Sequence, residues 1–479
     1  MVSAMPVRMA SSTGRWLLVA TILGSSIAML DATVVNVALP RLGADLDAGV
    51  TGLQWTLNGY TLALASLILL GGALGDRWGR RRMFVVGVGW FAAASALCGV
   101  APNVELLVVA RILQGVGGAL LTPGSLALIS ASIDERDRGR AIGAWSGIGG
   151  VASAIGPIFG GWLVDAVSWR AVFLINVPVA VVIVWIAVRH VPESRDESAA
   201  RRIDVPGVVL ASAGLAALTY GLITSAAITS VLGLLVLGLF VVQERRVHEP
   251  LVPLSMFADR VFAASNLVTI TVYAALGGTF FLFVLHLQVV VGYSPLQAGA
   301  ASLPITVLML LLSSYAGALG ERIGPRIPMT LGPLIGALGL VLMLRIGPDA
   351  SYVTDVLPAV TVFGLGLSTM VAPLTTAVLS AAPSSQAGLA SGINNAIART
   401  GQLLAVAALP ALVGITGSGY ADPAIVNDGF RGAMLICAGL LVAGAITAAV
   451  LVRRGSVTHA IPVERQRRCG VDSPASYPE

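Results

Sequence analysis

Fourteen apolar stretches, each long enough to cross a lipid bilayer, dominate this sequence of 479 residues. A helix needs about 20 predominantly apolar residues to span the hydrocarbon core. The stretches lie at 16–38, 55–75, 83–101, 104–124, 141–164, 170–188, 205–221, 225–242, 261–291, 296–318, 327–345, 355–380, 388–416 and 430–452. Only 11% of the residues are charged, too few to cover a water-soluble protein of this size. The sequence predicts an all-α polytopic membrane protein with fourteen transmembrane helices.

The arginines predict the orientation of the chain. An even number of spans places both termini on one side, and 23 of the 29 arginines fall on that side against four on the other. Positively charged loops stay in the cytoplasm. We therefore expect both termini to be cytoplasmic, in a plasma membrane and more specifically a bacterial inner membrane.

Several function classes are excluded by composition. All 29 basic residues are arginine, so chemistry that needs a lysine amine is absent. The cysteines, Cys98, Cys437 and Cys469, are too scattered for a disulfide framework or a zinc site. The arginine clusters lack interleaved aromatic residues, which argues against nucleic-acid binding. We predict no enzyme activity, no metal and no cofactor; the expected partners are the lipid bilayer, a small-molecule substrate and protons, with the chain a monomer.

An internal repeat divides the chain. GALGDRWGRR at 72–81 and GALGERIGPR at 317–326 are offset by 245 residues, and both follow a predicted span. Parallel repeats of this kind are typical of secondary transporters. The predicted divisions are a cytoplasmic N-terminus 1–15, a six-helix half 16–190, a linker with two extra helices 191–260, a second six-helix half 261–452 and a disordered cytoplasmic tail 453–479.

Two opposite charges lie at similar predicted depths. Asp31 lies about 22 Å from the cytoplasmic edge of the first span, and Arg111 about 10 Å from the opposite edge of the fourth, so the two nearly coincide in a core of about 30 Å. Gln114, Gly115 and Gly118 share the helix face of Arg111. The pair is either a proton-binding site or an ion pair that only fixes packing.

Two spans carry unusual patterns. The fifth reads GAWSGIGGVASAIGPIFGG at 143–161, where glycines four residues apart form small packing faces and a proline adds a kink. The thirteenth has a polar stripe of Ser391, Asn395, Arg399 and Gln402 at helical spacing, with Arg399 about 16 Å deep. The fifth span is either packing alone or a flexing element between the halves; Arg399 is either a functional charge or an anchor.

Other polar residues are candidates for lining a cavity: Asn58, Tyr60, Gln114, His286 and Gln288. A membrane histidine is either a hydrogen-bonding core residue or a proton relay. The ninth span also contains Gly277 and Gly278, which predict a break in that helix.

The motifs together resemble the major facilitator superfamily. GALGDRWGRR is similar to the signature that follows its second helix, LLVVARILQGVGGA at 106–119 to its helix-4 motif, and the glycine-rich fifth span to its antiporter motif. MLDATVVNVALP at 29–40, WRAVFLINVP at 169–178 and the count of fourteen helices resemble the drug:proton antiporter branch of multidrug exporters. The resemblance covers nearly the whole chain.

The resemblance implies a fold and a set of roles. The fold would be two six-helix halves plus two inserted central helices, around a cavity lined by segments 1, 4, 9 and 12. Asp31 and Arg111 would couple transport to protons. The residues of the conformational latch would be Gly72, Asp76, Arg77, Gly79, Arg80, Glu321 and Arg322, and those of the antiporter helix Gly143, Gly147, Gly156, Pro157 and Gly160.

The latch has expected partners. We expect Asp76 to reach the start of the thirteenth helix and Arg80 to pair with a carboxylate among residues 134–137. For Arg399 we expect backbone carbonyls, the amides of Asn58 and Asn394, or water.

Three functions are consistent with the sequence. The first is a proton-coupled exporter of amphipathic small molecules that works by alternating access. The second is a narrow-specificity exporter of one endogenous metabolite or antibiotic. The third is a non-transporting membrane sensor or scaffold, against which the two membrane charges argue.

Overall fold

The computed structural model describes residues 7–195, 203–383 and 386–452, and the predicted tail 453–479 lies outside them. The described residues form helices, with one isolated bridge between Val7 and Ile133. The helices are α1 Ser12–Asp45, α2 Val50–Trp78, α3 Arg80–Gly99, α4 Val104–Ser132, α5 Glu135–Ala166, α6 Trp169–Leu174, α7 Asn176–His190, α8 Val205–Ile223, α9 Ala227–Arg246, α10 Arg260–Val289, α11 Pro295–Ala301, α12 Leu303–Ile323, α13 Arg326–Met343, α14 Leu357–Ser380, α15 Ala387–Leu412 and α16 Pro423–Leu451. The predicted all-α class is confirmed.

Twelve helical segments of the described residues are long and apolar enough to cross a membrane, with α6 and α7 forming one segment and α11 and α12 another. Two more long helices, α5 with 32 residues and α15 with 26, lie where the fifth and thirteenth spans were predicted. Neither belongs to the twelve. The count of fourteen therefore stays a prediction.

Most helices extend beyond the apolar stretches that predict them. The first stretch covers 16–38, whereas α1 runs from Ser12 to Asp45, because a helix continues into polar residues past the hydrocarbon core. The predicted break at Gly277 and Gly278 is wrong, since α10 is continuous there. These glycines instead allow close packing: a Cβ on Gly277 would lie 2.8 Å from the Cα of Gln402 in α15.

The helices form two bundles. Helices α1–α7 pack mainly against one another, as do α10–α16, and the bundles meet along two seams, α2 with α15 and α5 with α11 and α12. The start of α1 and the end of α16 lie on the same side of the molecule, which we call the terminal side; the opposite side is the far side. The space between the bundles is called the central cleft.

Hydrogen bonds join the two bundles on the far side. The Gln54 amide donates to the carbonyls of Val406 and Ala407 at 2.8 and 2.9 Å, and the Gln288 amide donates to the carbonyl of Val37 at 3.0 Å. The Val50 N–H donates to the Gly417 carbonyl at 3.0 Å, and the Leu296 N–H to Asp165 at 3.0 Å. We call these bonds the far-side seal.

The terminal side is joined more loosely. The α2–α15 seam has an apolar contact there, between Leu69 and Gly392. On the other seam, an added Cβ on Gly143 or Gly147 of α5 would meet no atom within 4 Å. The described hydrogen bonds between bundles thus concentrate at one end of the cleft.

The inserted hairpin, α8 and α9, covers one seam. Leu215 of α8 packs with two leucines, Leu62 of α2 in the first bundle and Leu403 of α15 in the second. Helix α9 packs on α8 and turns most of its surface outward. The hairpin therefore bridges the two bundles from the outside.

Candidate functional site

A buried ion pair joins α1 to α4. Arg111 Nη1 lies 2.5 Å from Asp31 Oδ2, and both side chains are almost completely excluded from the surface. The contact predicted from the depths of the two residues is therefore present. The pair lies inside the first bundle and not at the surface of the central cleft.

Neutral polar groups complete the coordination of both charges. Arg111 donates from Nε to the Thr56 carbonyl at 2.9 Å and from Nη1 to Gln114 Oε1 at 2.6 Å. Gln114 Nε2 donates to Asp31 Oδ1 and to Ser95 Oγ, both at 2.8 Å. Asn176 Nδ2 adds longer contacts of 3.5 Å to Asp31 and 3.3 Å to Ser95. Buried charges are tolerated when their hydrogen bonds are satisfied in this way.

Two aromatic rings flank the Arg111 guanidinium. Its carbon lies 4.5 Å from the centre of the Tyr60 ring and 5.7 Å from that of Phe173. A guanidinium over an aromatic face gains about 0.5–2 kcal/mol, more when it is desolvated. The rings also keep water from the charge.

Glycines of α4 bring Tyr60 to this position. A Cβ on Gly115 would lie 2.8 Å from the Cβ of Ala63, and one on Gly118 would lie 3.2 Å from the Tyr60 hydroxyl. Larger residues there would push α2 away from α4. The glycines on the face of Arg111 therefore set the distance between the two helices.

Four residues predicted to line a cavity are buried in the protein. Tyr60 and Gln114 lie inside the first bundle, with exposed fractions of 2% and 0%. Asn58, 1% exposed, lies one turn from Gln54 and Leu62, on the face of α2 that meets α15. His286 is fully buried, with Nε2 3.2 Å from Asn427 Oδ1 and its ring stacked on Phe430 at 4.1 Å. None of the four side chains is exposed to the central cleft in this structure, because polarity alone does not show which side of a helix faces a neighbouring helix.

The other cavity candidates lie between the bundles. Gln288 belongs to the far-side seal. Asn395 is exposed and Arg399 is half-buried. On α15, Gly401 faces α10 and Gly392 faces α2. Asn395 and Arg399 lie on the part of the helix surface between these two faces. The polar stripe therefore faces the central cleft.

Arg399 has a different partner from those expected. Its Nη1 donates to Gln402 Oε1 at 3.2 Å, while Asn394 donates to Asn266 and Thr269 of α10. The side of α15 that carries Arg399 faces the central cleft. The charge of Arg399 thus lies between the bundles and is bonded within its own helix.

The glycines of α5 fall into two groups. Gly160 meets α1, where an added Cβ would lie 2.9 Å from the Cβ of Val34, and Gly156 meets Leu30 and Thr33. The carbonyl of Pro157 lies against Gly299 of α11. The expectation that Gly143 and Gly147 form a packing face is wrong, because nothing lies near them.

Residues 72–81 form the end of α2 and the start of α3, joined at Gly79, and they are held within their own bundle. Arg80 donates to Asp76 Oδ1 at 2.8 Å. The expected pairing of Arg80 with residues 134–137 is wrong, and Asp137 instead accepts from the Met9 N–H.

A linker residue caps α3, which begins within residues 72–81. Gly79 has a φ of 111°, which favours glycine. After this turn, Glu193 accepts from the N–H groups of Arg81 and Arg82 at the start of α3.

The remaining residues predicted for the latch lie in α2 and α12. Gly72 lies against Pro123, since a Cβ there would be 3.8 Å from that ring. Arg77, Glu321 and Arg322 are exposed.

Three groups of the ion-pair network were not predicted from the sequence. Ser95 and Asn176 are polar residues within apolar spans, a signal that could have found them. The Thr56 carbonyl is a backbone group, which composition cannot reveal. In the described part of the chain, no cluster of three or more His, Cys, Asp or Glu residues could hold a metal.

Comparison with known proteins gives relatives along most of the chain. A profile of the Major Facilitator Superfamily matches residues 21–406. The tetracenomycin C resistance and export protein of Streptomyces glaucescens is 37% identical over 406 residues, covering 83% of this chain and 75% of that protein. The puromycin resistance protein of Streptomyces alboniger is 36% identical, covering 94% and 95%. A bacterial homologue of the lysosomal transporter Spinster, in an inward-facing unoccupied crystal structure, matches with a TM-score of 0.67 at 18% identity, covering 93% and 98%.

Proposed function

The chain belongs to the Major Facilitator Superfamily, and from that premise we propose that it is a proton-coupled exporter of amphipathic small molecules. Its resistance and export relatives make it an efflux transporter and not an enzyme. They also disfavour the sensor or scaffold alternative. The observation that carries proton coupling is the buried contact between Asp31 and Arg111.

Protonation of Asp31 would change the whole network. The carboxylate bonds Arg111 and Gln114 while it is charged. A neutral carboxyl group attracts the guanidinium far less, so Arg111 would rely on Thr56, Gln114 and the aromatic rings. Together with Ser95 and Asn176, these groups lie on α1, α2, α3, α4, α6 and α7, so a proton on one atom alters contacts among six helices.

The position of the seal supports alternating access. The arginine distribution places the terminal side in the cytoplasm, so the far-side seal would close the route to the outside. Substrate would enter the cleft from the cytoplasm or inner leaflet. Breaking the far-side seal while joining the terminal side would then release it outside.

Arg399 supports a preference among substrates. It faces the cleft, and its bonded partner is a neutral amide. A fixed positive charge there would oppose highly charged cations and favour neutral or weakly acidic molecules. Arg399→Gln should shift preference toward cations while leaving protein level nearly unchanged; lost expression with unaltered preference would identify a packing anchor instead.

A narrow substrate range remains the second candidate. The names of the two relatives described above refer to single compounds, tetracenomycin C and puromycin. Export of one compound from a broad panel would favour this candidate over multidrug transport.

The segment 72–81 is proposed as a latch. In the structure Asp76 binds Arg80 of the same bundle. When the bundles close on the terminal side, the same carboxylate would lie near the start of α15, whose free N–H groups attract a negative charge. Asp76→Ala should raise the labelling of cysteines placed in the cleft from the cytoplasm and lower turnover; unchanged labelling would argue against a latch.

The decisive experiment is transport in inverted vesicles. We expect uptake of dyes and antibiotics into these vesicles that depends on a pH gradient and is abolished by Asp31→Asn with normal insertion. Asp45→Asn is the matched control, because Asp45 lies on the same helix but is half-exposed and binds Arg170 at 2.6 Å on the far side. Normal gradient-driven pumping by Asp31→Asn would remove Asp31 from the mechanism.

A further inference from the structure

Two carboxylates are buried together at the base of the inserted hairpin, away from the ion pair and the cleft. Asp204 precedes the first turn of α8 and Glu244 lies in the last turn of α9. Their exposed fractions are 6% and 3%. Carboxylates are seldom buried to this extent unless they are paired.

Each carboxylate uses one oxygen to hold the backbone or a neighbouring amide. Asp204 Oδ1 accepts from the Gly207 N–H and from Gln243 Nε2, both at 3.1 Å. Glu244 Oε2 accepts from the Val252 N–H at 2.8 Å. The other two oxygens, Asp204 Oδ2 and Glu244 Oε1, are buried without a hydrogen-bond partner.

The two unpartnered oxygens point to the same place. A methyl group added to Gly207 would collide with both Asp204 Oδ2 and Glu244 Oε1. Both oxygens lie within 3 Å of that single point, so the two carboxylates repel each other while both are charged. One proton on the pair removes this repulsion. We propose that Asp204 and Glu244 share one proton, held between Oδ2 and Oε1, as a second protonation site distinct from Asp31.

Among the described residues, no arginine or histidine forms an ion pair with Asp204 or Glu244. On the α9 end and the following linker, the ionisable residues Arg245, Arg246, His248, Glu249, Asp259 and Arg260 are exposed. Helix α8 contributes only Tyr220, at its opposite end. Arg201 and Arg202, just before α8, lie outside the described residues.

The shared proton joins the hairpin to the second bundle. Glu244 fixes Val252, which packs against a cluster of Phe262, Val378, Ala390 and Ile393 from α10, α14 and α15. Loss of the proton would place two like charges at the hairpin base and weaken this attachment. The attachment of the inserted hairpin to the second bundle therefore depends on cytoplasmic pH, and this dependence does not involve the transported substrate.

The sign of the pH effect follows from proton counting. The folded pair holds a proton that the unfolded carboxyls release above about pH 4. Stability from the pair is therefore greatest at low pH and is lost as the pH rises through its titration. Unfolding of the wild-type protein should release about one more proton than unfolding of a variant without the pair.

Amide substitutions test this directly in the full-length protein in lipid nanodiscs. In Glu244→Gln the new amide group can donate to Asp204 in place of the shared proton. In Asp204→Asn the new amide group can donate to Glu244 in the same way. At low pH both variants should have the melting temperature of the wild type. As the pH rises, their melting temperature should fall less than that of the wild type. Asp259→Asn, an exposed helix cap that prefers Asn as much as Asp, is the control and should keep the wild-type decline.

The proposal fails on either of two results. Equal pH dependence in the wild type and both amide variants would mean that no proton is shared. A wild-type melting temperature raised by Na⁺ or Ca²⁺, with the effect lost in both amide variants, would mean that the oxygens hold a metal cation instead. Neither result tests transport, so failure of this proposal would leave the proposed function unaffected.

Discussion

Arg111 and Arg399 are both arginines within long helices of the bundles, yet their surroundings differ at almost every point. Arg111 is 1% exposed, bonds a carboxylate and lies against two aromatic rings inside one bundle. Arg399 is half-buried, bonds one neutral amide of its own helix and faces the cleft. Tyr60 lies within electrostatic reach of both.

The difference separates two ways of placing a charge in a membrane. Inside a bundle the charge is neutralised by the protein, so its removal leaves other groups without partners. At the cleft the charge is left for water or a ligand to solvate, so its removal changes what the cleft attracts. Substitutions in the packed interior should therefore change the stability of the protein, and substitutions at the cleft should change its substrate selectivity.

The largest expected effect is that of Arg111→Ala. It leaves the Asp31 carboxylate buried without its cation, a loss of about 3–5 kcal/mol in unfolding free energy unless Asp31 takes up a proton. The pH dependence of substrate binding should shift accordingly. Thermal unfolding and binding across pH measure both, and an unchanged pH profile would show that the two residues do not communicate. Adding Asp31→Asn should recover much of the lost stability.

A smaller contrast lies within α5. Gly160→Ala places a methyl group against Val34 and should cost about 1–3 kcal/mol through overpacking. Gly143→Ala meets open space and should stabilise the helix by about 0.5–1 kcal/mol. Thermal unfolding of the two variants measures the difference, and equal shifts would contradict the division of α5 into a packed and an open part.

Ser95→Ala should have a milder effect. It removes the hydroxyl that accepts from Gln114 and Asn176, a loss of about 1 kcal/mol. Because the same amides contact Asp31, the pH profile of efflux should move as well. A stability loss with an unmoved profile would assign Ser95 to packing alone.

The smallest effect on stability is expected for Arg399→Gln. The substitution should change unfolding free energy by no more than about 0.5 kcal/mol while changing the ratio of cation to anion efflux. Arg399→Lys keeps the charge and serves as the control. A stability loss near that of Arg111→Ala would break the comparison on which these predictions rest.

The sequence predicts contacts best where depth decides them. Asp31 and Arg111 could be matched because helical rise converts residue number into position across the membrane. Depth does not give the rotation of a helix, so Gln114 and His286 were both candidates for the cavity lining, whereas in this structure both are buried. Spans with a uniform apolar surface leave rotation undetermined until the partner helices are known.

Glycine patterns show a similar limit. Gly277 and Gly278 predicted a break, but in a bundle the same residues allow α15 and α16 to approach α10. The partners of Arg80 and Arg399 were also wrong, since both bind residues three or four positions away in sequence. Short-range bonds of this kind compete with distant ones whenever the side chains point to a cleft.

The far-side seal has a consequence for the genetics of this protein. Gln54 and Gln288 both donate to backbone carbonyls, at Val406, Ala407 and Val37. A codon change at an acceptor position alters a side chain but keeps the carbonyl, so the bond survives. A screen for alleles that leak toward the outside should therefore recover changes at the two glutamines and very few at the three acceptors.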